Sequence, residues 1–152
     1  MASADSFDHL LKELGIAIGI PDLCFDEEGF CHLVIDEHYA LTLMKDHVTQ
    51  RFIFMGQLAE GLPDPLTPEW VHYALTTALN PLKGDLPGIG LEPKSNTLVL
   101  YHGLALSALD LARLEQSLDL FIQQMKKWDS LNFLQSTSHF QPTTHYDLLK
   151  KI

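Results

Sequence analysis

Leu23-Cys24-Phe25-Asp26-Glu27-Glu28-Gly29-Phe30-Cys31-His32-Leu33-Val34-Ile35-Asp36 is the stretch that decides how this chain folds: two short apolar arms flank an acidic turn closed by glycine. An Asp at the start of a turn bonds its own backbone, and a Gly at its end accepts the positive φ that a side chain resists. The two arms are therefore expected to pair antiparallel. Phe30 to Ile35 begins a series of strands, continued by Tyr39 to Met44 and Arg51 to Leu58 across the short polar connectors Asp36-Glu37-His38 and Lys45 to Gln50.

In Arg51 to Leu58, Phe52 and Phe54 point to one face while Ile53 and Met55 point to the other. Such a strand needs cover on both sides. Helices supply one cover, and a second subunit or a bound segment is expected to supply the other.

N-terminal to the hairpin, Phe7, Leu10, Leu11, Leu14 and Ile18 recur at helical spacing from Ser6 onward, and Gly15, Gly19 and Pro21 are read as stops. C-terminal to the strands, Gly61 to Leu66 is a breaker-rich linker. Thr67 then caps a helix with Pro68 at its first position, running to Leu79 before Asn80-Pro81. That helix is apolar nearly all round, which an interface explains as well as a core does. Two further strands, Ile89 to Glu92 and Thr97 to His102, are expected to extend the meander. Ser107-x-x-Asp110 offers a capping box to a long helix with a stripe of Leu111, Leu114, Leu118, Phe121, Ile122, Met125 and Trp128. The order α-β-β-β-α-β-β-α predicts an α+β fold with helices against an antiparallel sheet. The run Gln135 to Thr144 lacks periodicity and is expected to be a flexible tail.

With 152 residues, one core suffices. The net charge of -10 and only two arginines, Arg51 and Arg113, disfavour nucleic acid, because phosphate binding needs clustered cations. No stretch approaches the roughly 20 apolar residues of a membrane helix. The N-terminus has no basic n-region, so a cytosolic location is expected. Cys24 and Cys31 flank the turn, where a disulfide is geometrically allowed but unexpected in a reducing cytosol, and both are read as small buried hydrophobes.

Constellations for chemistry are weak. Cys24, Cys31, His32 and His38 are the best metal candidates, yet strand alternation puts Cys31 and His32 on opposite faces, so no metal and no cofactor are expected. Asp46 with His47, and Glu69 with His72, are read as solvated neighbours rather than acid/base pairs. There is no nucleophile elbow and no phosphate loop, so no catalytic residue is assigned. The competing reading is a small α+β hydrolase or ligand-binding domain that uses His38, His47 and His72 with nearby Asp residues. Trp128 continues the core stripe, while Trp70 is open to either a core or an interface role.

The pattern Leu23-x-Phe25-Asp26-x-x-Gly29-x-Cys31-x-Leu33-x-Ile35-Asp36 after an amphipathic helix resembles the class I type III secretion chaperones, the Tir-chaperone (CesT-like) family. Gly56-x-Leu58, the Trp70 helix closing at Leu79-Asn80, and Leu98-Val99-Leu100 before the long helix share its order. The resemblance covers about residues 3 to 133. It implies a non-enzymatic homodimer of the bacterial cytoplasm that binds the N-terminal region of secreted effectors and keeps it non-globular for secretion. Its partners would be those effectors, a second copy, and the ATPase of the secretion apparatus, without nucleic acid or membrane.

Carried over residue by residue, the resemblance places a dimer interface at Trp70, Val71, Tyr73, Ala74 and Thr77. It places effector contacts at Leu10, Leu14, Ile18, Leu23, Phe25 and Leu33. The chaperone domain would span residues 1–135. Residues 136–152 depart from the family pattern and would form a polar, flexible tail.

Overall fold

The computed structural model describes residues 5–84 and 86–138, with side chains described up to residue 131. Helix α1 spans Ser6–Ile18, capped by the Asp5 carboxylate, which accepts from the Asp8 amide at 2.8 Å. Its buried residues Phe7, Leu10, Leu11 and Leu14 form the expected stripe. Gly15 does not stop the helix; it is buried inside it. A Cβ there would lie 2.5 Å from the Ile20 carbonyl oxygen, so the small residue lets the chain fold back against α1 after Gly19.

Strands β1 (Phe30–Ile35), β2 (Tyr39–Asp46) and β3 (Arg51–Glu60) form an antiparallel meander, as the polar connectors require. The turn before β1 is built as expected. Asp26 Oδ1 accepts from the amides of Glu28 and Phe30, both at 2.9 Å, and Gly29 takes φ +86°. The expected first arm of the hairpin, however, is not a strand. Leu23 to Phe25 make no ladder; the Asp26 amide donates to the Phe30 carbonyl at 2.7 Å, and the side chains of Leu23 and Phe25 pack on the core instead.

Helix α2 (Pro68–Ala78) starts at Thr67, whose hydroxyl accepts from the Trp70 amide at 3.2 Å. A four-residue helix α3 (Asn80–Lys83) follows it directly. Then come β4 (Gly88–Glu92) and β5 (Thr97–Ala105), a 3-10 turn at Leu106–Ala108, and α4 (Leu111–Ser138). The cap of α4 is Asp110, accepting from the Arg113 amide at 2.8 Å, rather than Ser107, which lies in the 3-10 turn. Helix α4 continues to Ser138, and the remainder of the expected tail, residues 139–152, lies outside the described residues.

The sheet order is β1-β2-β3-β5-β4, so the last two strands do not simply extend the meander. β5 returns to pair with β3 and leaves β4 at the edge. The side chains explain the choice. β5 buries Leu98, Leu100, His102 and Leu104 on one face, as an interior strand must, whereas short β4, with Gly88 and Gly90, has little to bury.

Helices α1 and α4 cover the face carrying Leu41, Leu43, Phe52, Phe54 and Leu100. Phe7 meets Phe52 at 6.3 Å between centroids, and Phe54 meets Phe121 at 5.5 Å. The reverse face presents Met44, Ile53, Met55, Val99 and Tyr101, half-buried or exposed, with Pro81 of α3 reaching its edge at Gly88 and Tyr101.

Candidate functional site: two apolar margins of the sheet

The sheet ends in two edge strands, β1 and β4, and exposed apolar side chains collect beside each. Val34 of β1 is 58% exposed on the sheet face away from the helices, and Ile16 and Ile20 are exposed at the end of α1 on the helix side. Ile18, Leu23 and Phe25 are half-buried beside them. Among the described residues, β1 has a strand on one side alone; Phe30 at its start is bonded on the outer side to Asp26, and from His32 onward the outer edge faces no other strand.

The loop on this margin is held from beneath. Phe25 packs on Phe52 with tilted rings, 5.8 Å between centroids, and the Lys45 ammonium lies 5.2 Å from the Phe25 ring centre. Lys45 also bonds Asp8 at 2.9 Å and Asp5 at 3.4 Å, tying β2 to the start of α1. Burial of Asp5 opposes its charge, yet the Asp8 amide and the Lys45 ammonium outweigh this and hold its carboxyl below the usual value. The same two carboxylates hold Lys45 above its usual value, against the desolvation that opposes them.

Six residues were expected to contact an effector, and the structure divides them. Leu10, Leu14 and Leu33 are buried core residues, because α1 turns its stripe inward and β1 alternates Leu33 toward the helices. Ile18, Leu23 and Phe25 keep part of their surface. Periodicity finds the apolar stripe but favours its buried centre, whereas Ile16, Ile20 and Val34 keep their surface.

The β4 margin shows the same division. Trp70, Ala74 and Thr77 are buried within the single chain, and Val71 and Tyr73 are half-buried. Trp70 and Tyr73 pack against Trp128 of α4, at 5.9 and 4.8 Å between centroids, so this side of α2 is spent on the core. The solvent side carries Leu75 and Leu79, continued by Leu82 of α3, Leu86 and Leu91 of β4. Leu75 is 66% and Leu82 85% exposed. The leucines were missed because a helix that is apolar all round gives no phase to its pattern.

The residues weighed for chemistry do not converge. His38 Nε2 lies 3.3 Å from Asp129, His47 Nε2 lies 3.4 Å from Asp5, and His72 is exposed on α2. The Asp46 carboxylate is occupied by its own turn, accepting from the Val48 and Thr49 amides and the Thr49 hydroxyl. A cleft of about 640 Å³ beside Asp46, Arg51, Ile53, Tyr101 and His102 contains none of these three histidines. These three histidines are therefore not brought together into one site. Cys31 is buried and His32 exposed, on opposite faces as alternation requires, while Cys24 is exposed rather than buried. Among the described residues, no helix is long and apolar enough to cross a membrane.

Comparison with known proteins gives this geometry a context. The chain is similar to a solved structure of the HopA1-SchA chaperone-effector complex, with 29% identity and a TM-score of 0.73 over 82% of this chain and 94% of that one. It shares its fold with a chain of the ExsC-ExsE complex, at 24% identity and a TM-score of 0.72 over 86% of this chain and 96% of that one. It shares it also with a chain of the Yersinia Pestis complex of the type III secretion chaperone SycH with a fragment of YscM2, at 15% identity and a TM-score of 0.66 over 80% and 98%. No curated protein sequence matches it. The model of the Tir chaperone protein (CesT) family matches residues 9–129, most of the chain, and this protein belongs to that family.

Proposed function

We propose that this protein is a type III secretion chaperone that holds the N-terminal region of one or more secreted effectors in a non-globular, secretion-competent form. The single observation that carries the reading is the β1 margin. The strand edge has exposed Val34 on its outer face, and exposed Ile16 and Ile20 with half-buried Ile18, Leu23 and Phe25 lie at the end of α1 and the loop that follows it, on the helix face. An extended client gains main-chain hydrogen bonds from such an edge and places alternate side chains on the apolar rim. A wide surface is required, because a disordered client loses conformational entropy when it is held.

The second margin supports a homodimer. Leu75, Leu79, Leu82, Leu86 and Leu91 are exposed along α2, α3, the following loop and β4, and a second copy would offer the same leucines for a two-fold contact. The expected residues Val71 and Tyr73 would lie at its border, and Trp70, Ala74 and Thr77 would support it from within. With pairing at one edge and client at the other, both open edges of the sheet are used. We place the protein in the bacterial cytoplasm, with the secretion ATPase as the further partner that receives the loaded chaperone.

Client capture tests the proposal. Effector protein co-purified with the full chain from the source bacterium should be identified by mass spectrometry and then digested with a protease. The captured N-terminal segment should be cleaved rapidly when free and protected when bound, and Val34→Lys should weaken the protection. A client held only through a folded domain would reduce the protein to an adaptor.

A further inference from the structure

Helix α4 runs out of the fold beside β1. Along it, Phe121 packs on Phe54, Met125 lies against Gly56, and Asp129 stands 3.3 Å from His38 Nε2 in the β1–β2 turn. Lys126 bonds Asp36 of the same turn at 3.2 Å. The stretch from Asp129 to Ser138 then carries the helix about 14 Å farther. At the outer edge of β1, the Phe30 amide donates to the Asp26 carboxylate and the Phe30 carbonyl accepts from the Asp26 amide, so both Phe30 groups point outward. Outward groups alternate along a strand, which makes those of His32 and Val34 the next to face out. Among the described residues no strand pairs with them.

We propose that Tyr146 to Ile152 of the same chain lie along the outer edge of β1 and occupy it until a client takes their place. The competition with a client rests on the function proposed above, whereas the docking does not. Among the residues that follow α4, Gln141-Pro142-Thr143-Thr144 offers no large apolar side chain, while Tyr146-Asp147-Leu148-Leu149-Lys150-Lys151-Ile152 combines apolar residues with two lysines. Residues 139–145 span up to about 23 Å when extended. That covers the return along α4 to the β1–β2 turn and the further 7 Å or so from Asp36 to Val34.

A segment arriving from the β1–β2 turn runs back toward Phe30, opposite to β1, so the pairing is antiparallel. It meets the outward groups of Val34 first and those of His32 next. Alternation sends Tyr146, Leu148 and Ile152 to one face and Leu149 to the other, so both faces of the edge gain apolar cover, exposed Val34 included. Lys150 and Lys151 arrive last, at the Phe30 end, where Glu27 and Glu28 are exposed and of opposite charge. A tethered segment acts at an effective concentration of the order of millimolar. Weak pairing therefore keeps the edge occupied and still yields to a longer client, whose apparent affinity falls by the fraction of chains with an open edge.

A carbodiimide that joins lysine to carboxylate, added to a mixture of isotope-labelled and unlabelled full chains without client, tests the docking. Tandem mass spectrometry should find Lys150 or Lys151 joined to Glu27 or Glu28 within one copy. Links to this turn only between copies, or none at all, overturn the proposal. In hydrogen exchange the His32 and Val34 amides of the full chain should be protected. Leu148→Asp combined with Leu149→Asp should speed their exchange about tenfold and leave β3 and β5 unchanged. Equal exchange in the two proteins overturns the docking, and should β3 and β5 open as well, the cross-link decides. The effector segment that co-purifies with the chain should bind the double variant about tenfold more tightly, since both readouts report the fraction of open edges. Faster exchange with unchanged affinity overturns the competition alone, whereas capture of no client by either protein counts against the chaperone reading and leaves the docked segment standing.

Discussion

Trp70 on α2 and Trp128 on α4 meet edge to face, with ring centroids 5.9 Å apart and planes inclined at 75°. Tyr73 completes the cluster against Trp128 at 4.8 Å. The contact joins the middle helix to the last one, so α2 belongs to the same core as α1, α4 and the sheet. Its other side is free to associate.

Trp128 is fully buried, so Trp128→Ala should remove a large apolar contact and leave a cavity. A loss of about 3–5 kcal/mol is expected in urea or guanidinium unfolding. Trp128→Phe should lose clearly less. Equal losses would mean that ring volume is not what matters at this position.

The same cluster separates folding from association. Leu75→Asp combined with Leu82→Asp should shift light-scattering mass from twice the chain toward one chain while leaving circular dichroism unchanged, because both leucines face solvent in the single chain. Trp70→Asp should instead lose the fold, since an unpaired charge would be buried at several kcal/mol. A folded, dimeric Trp70→Asp would contradict the packing described.

Gly15→Ala sets two effects against each other. Alanine favours a helix interior by about 1 kcal/mol. Here its Cβ would stand 2.5 Å from the Ile20 carbonyl oxygen and 2.9 Å from the Leu23 Cβ, and the first neighbour is backbone that cannot rotate away. Crowding should win, with a net loss of about 1–3 kcal/mol by denaturant titration.

The Asp5–Lys45–Asp8 cluster gives stability a pH signature. Asp5 lies below its unfolded value, so its contribution is present above about pH 4 and disappears as pH falls through the folded value. Lys45 lies above its unfolded value, so its contribution is present below about pH 10 and is lost as pH rises through the folded value. Thermal unfolding of Lys45→Met against the unmodified protein should show a difference across the middle of the range that narrows in acid. Asp5→Ala, which also removes the cap of α1, should cost about 1 kcal/mol at neutral pH.

The histidines provide a negative test of the competing hydrolase reading. His38, His47 and His72 each changed to Ala should leave client capture intact, because they occupy three separate places. A loss common to all three would contradict their separation and favour the competing reading.

Local signals in the chain were reliable wherever one segment supplied its own partner. Thr67 and Asp26 bond amides two to four residues away, and the stripe of α4 needs only its own period, so these elements are legible in sequence. Phe52 and Phe54 announce a buried face in the same way. Where several partners compete, the pattern falls silent. Ser107-x-x-Asp110 reads as a box capped by Ser107, and only the path of β5 into the 3-10 turn gives the role of cap to Asp110.

Sequence by itself therefore determined the order of elements, the single core and the family, because each depends on short-range periodicity, capping and composition. Tertiary structure alone decided that β5 enters beside β3, that Leu23 to Phe25 lie on the core without joining the sheet, and which apolar residues remain outside. Leu10, Leu14, Leu33 and Trp70 look like good binding residues in one dimension, and burial consumes them in three. The physical reason is that hydrophobicity belongs to a residue, whereas availability to a partner belongs to what has already packed against it.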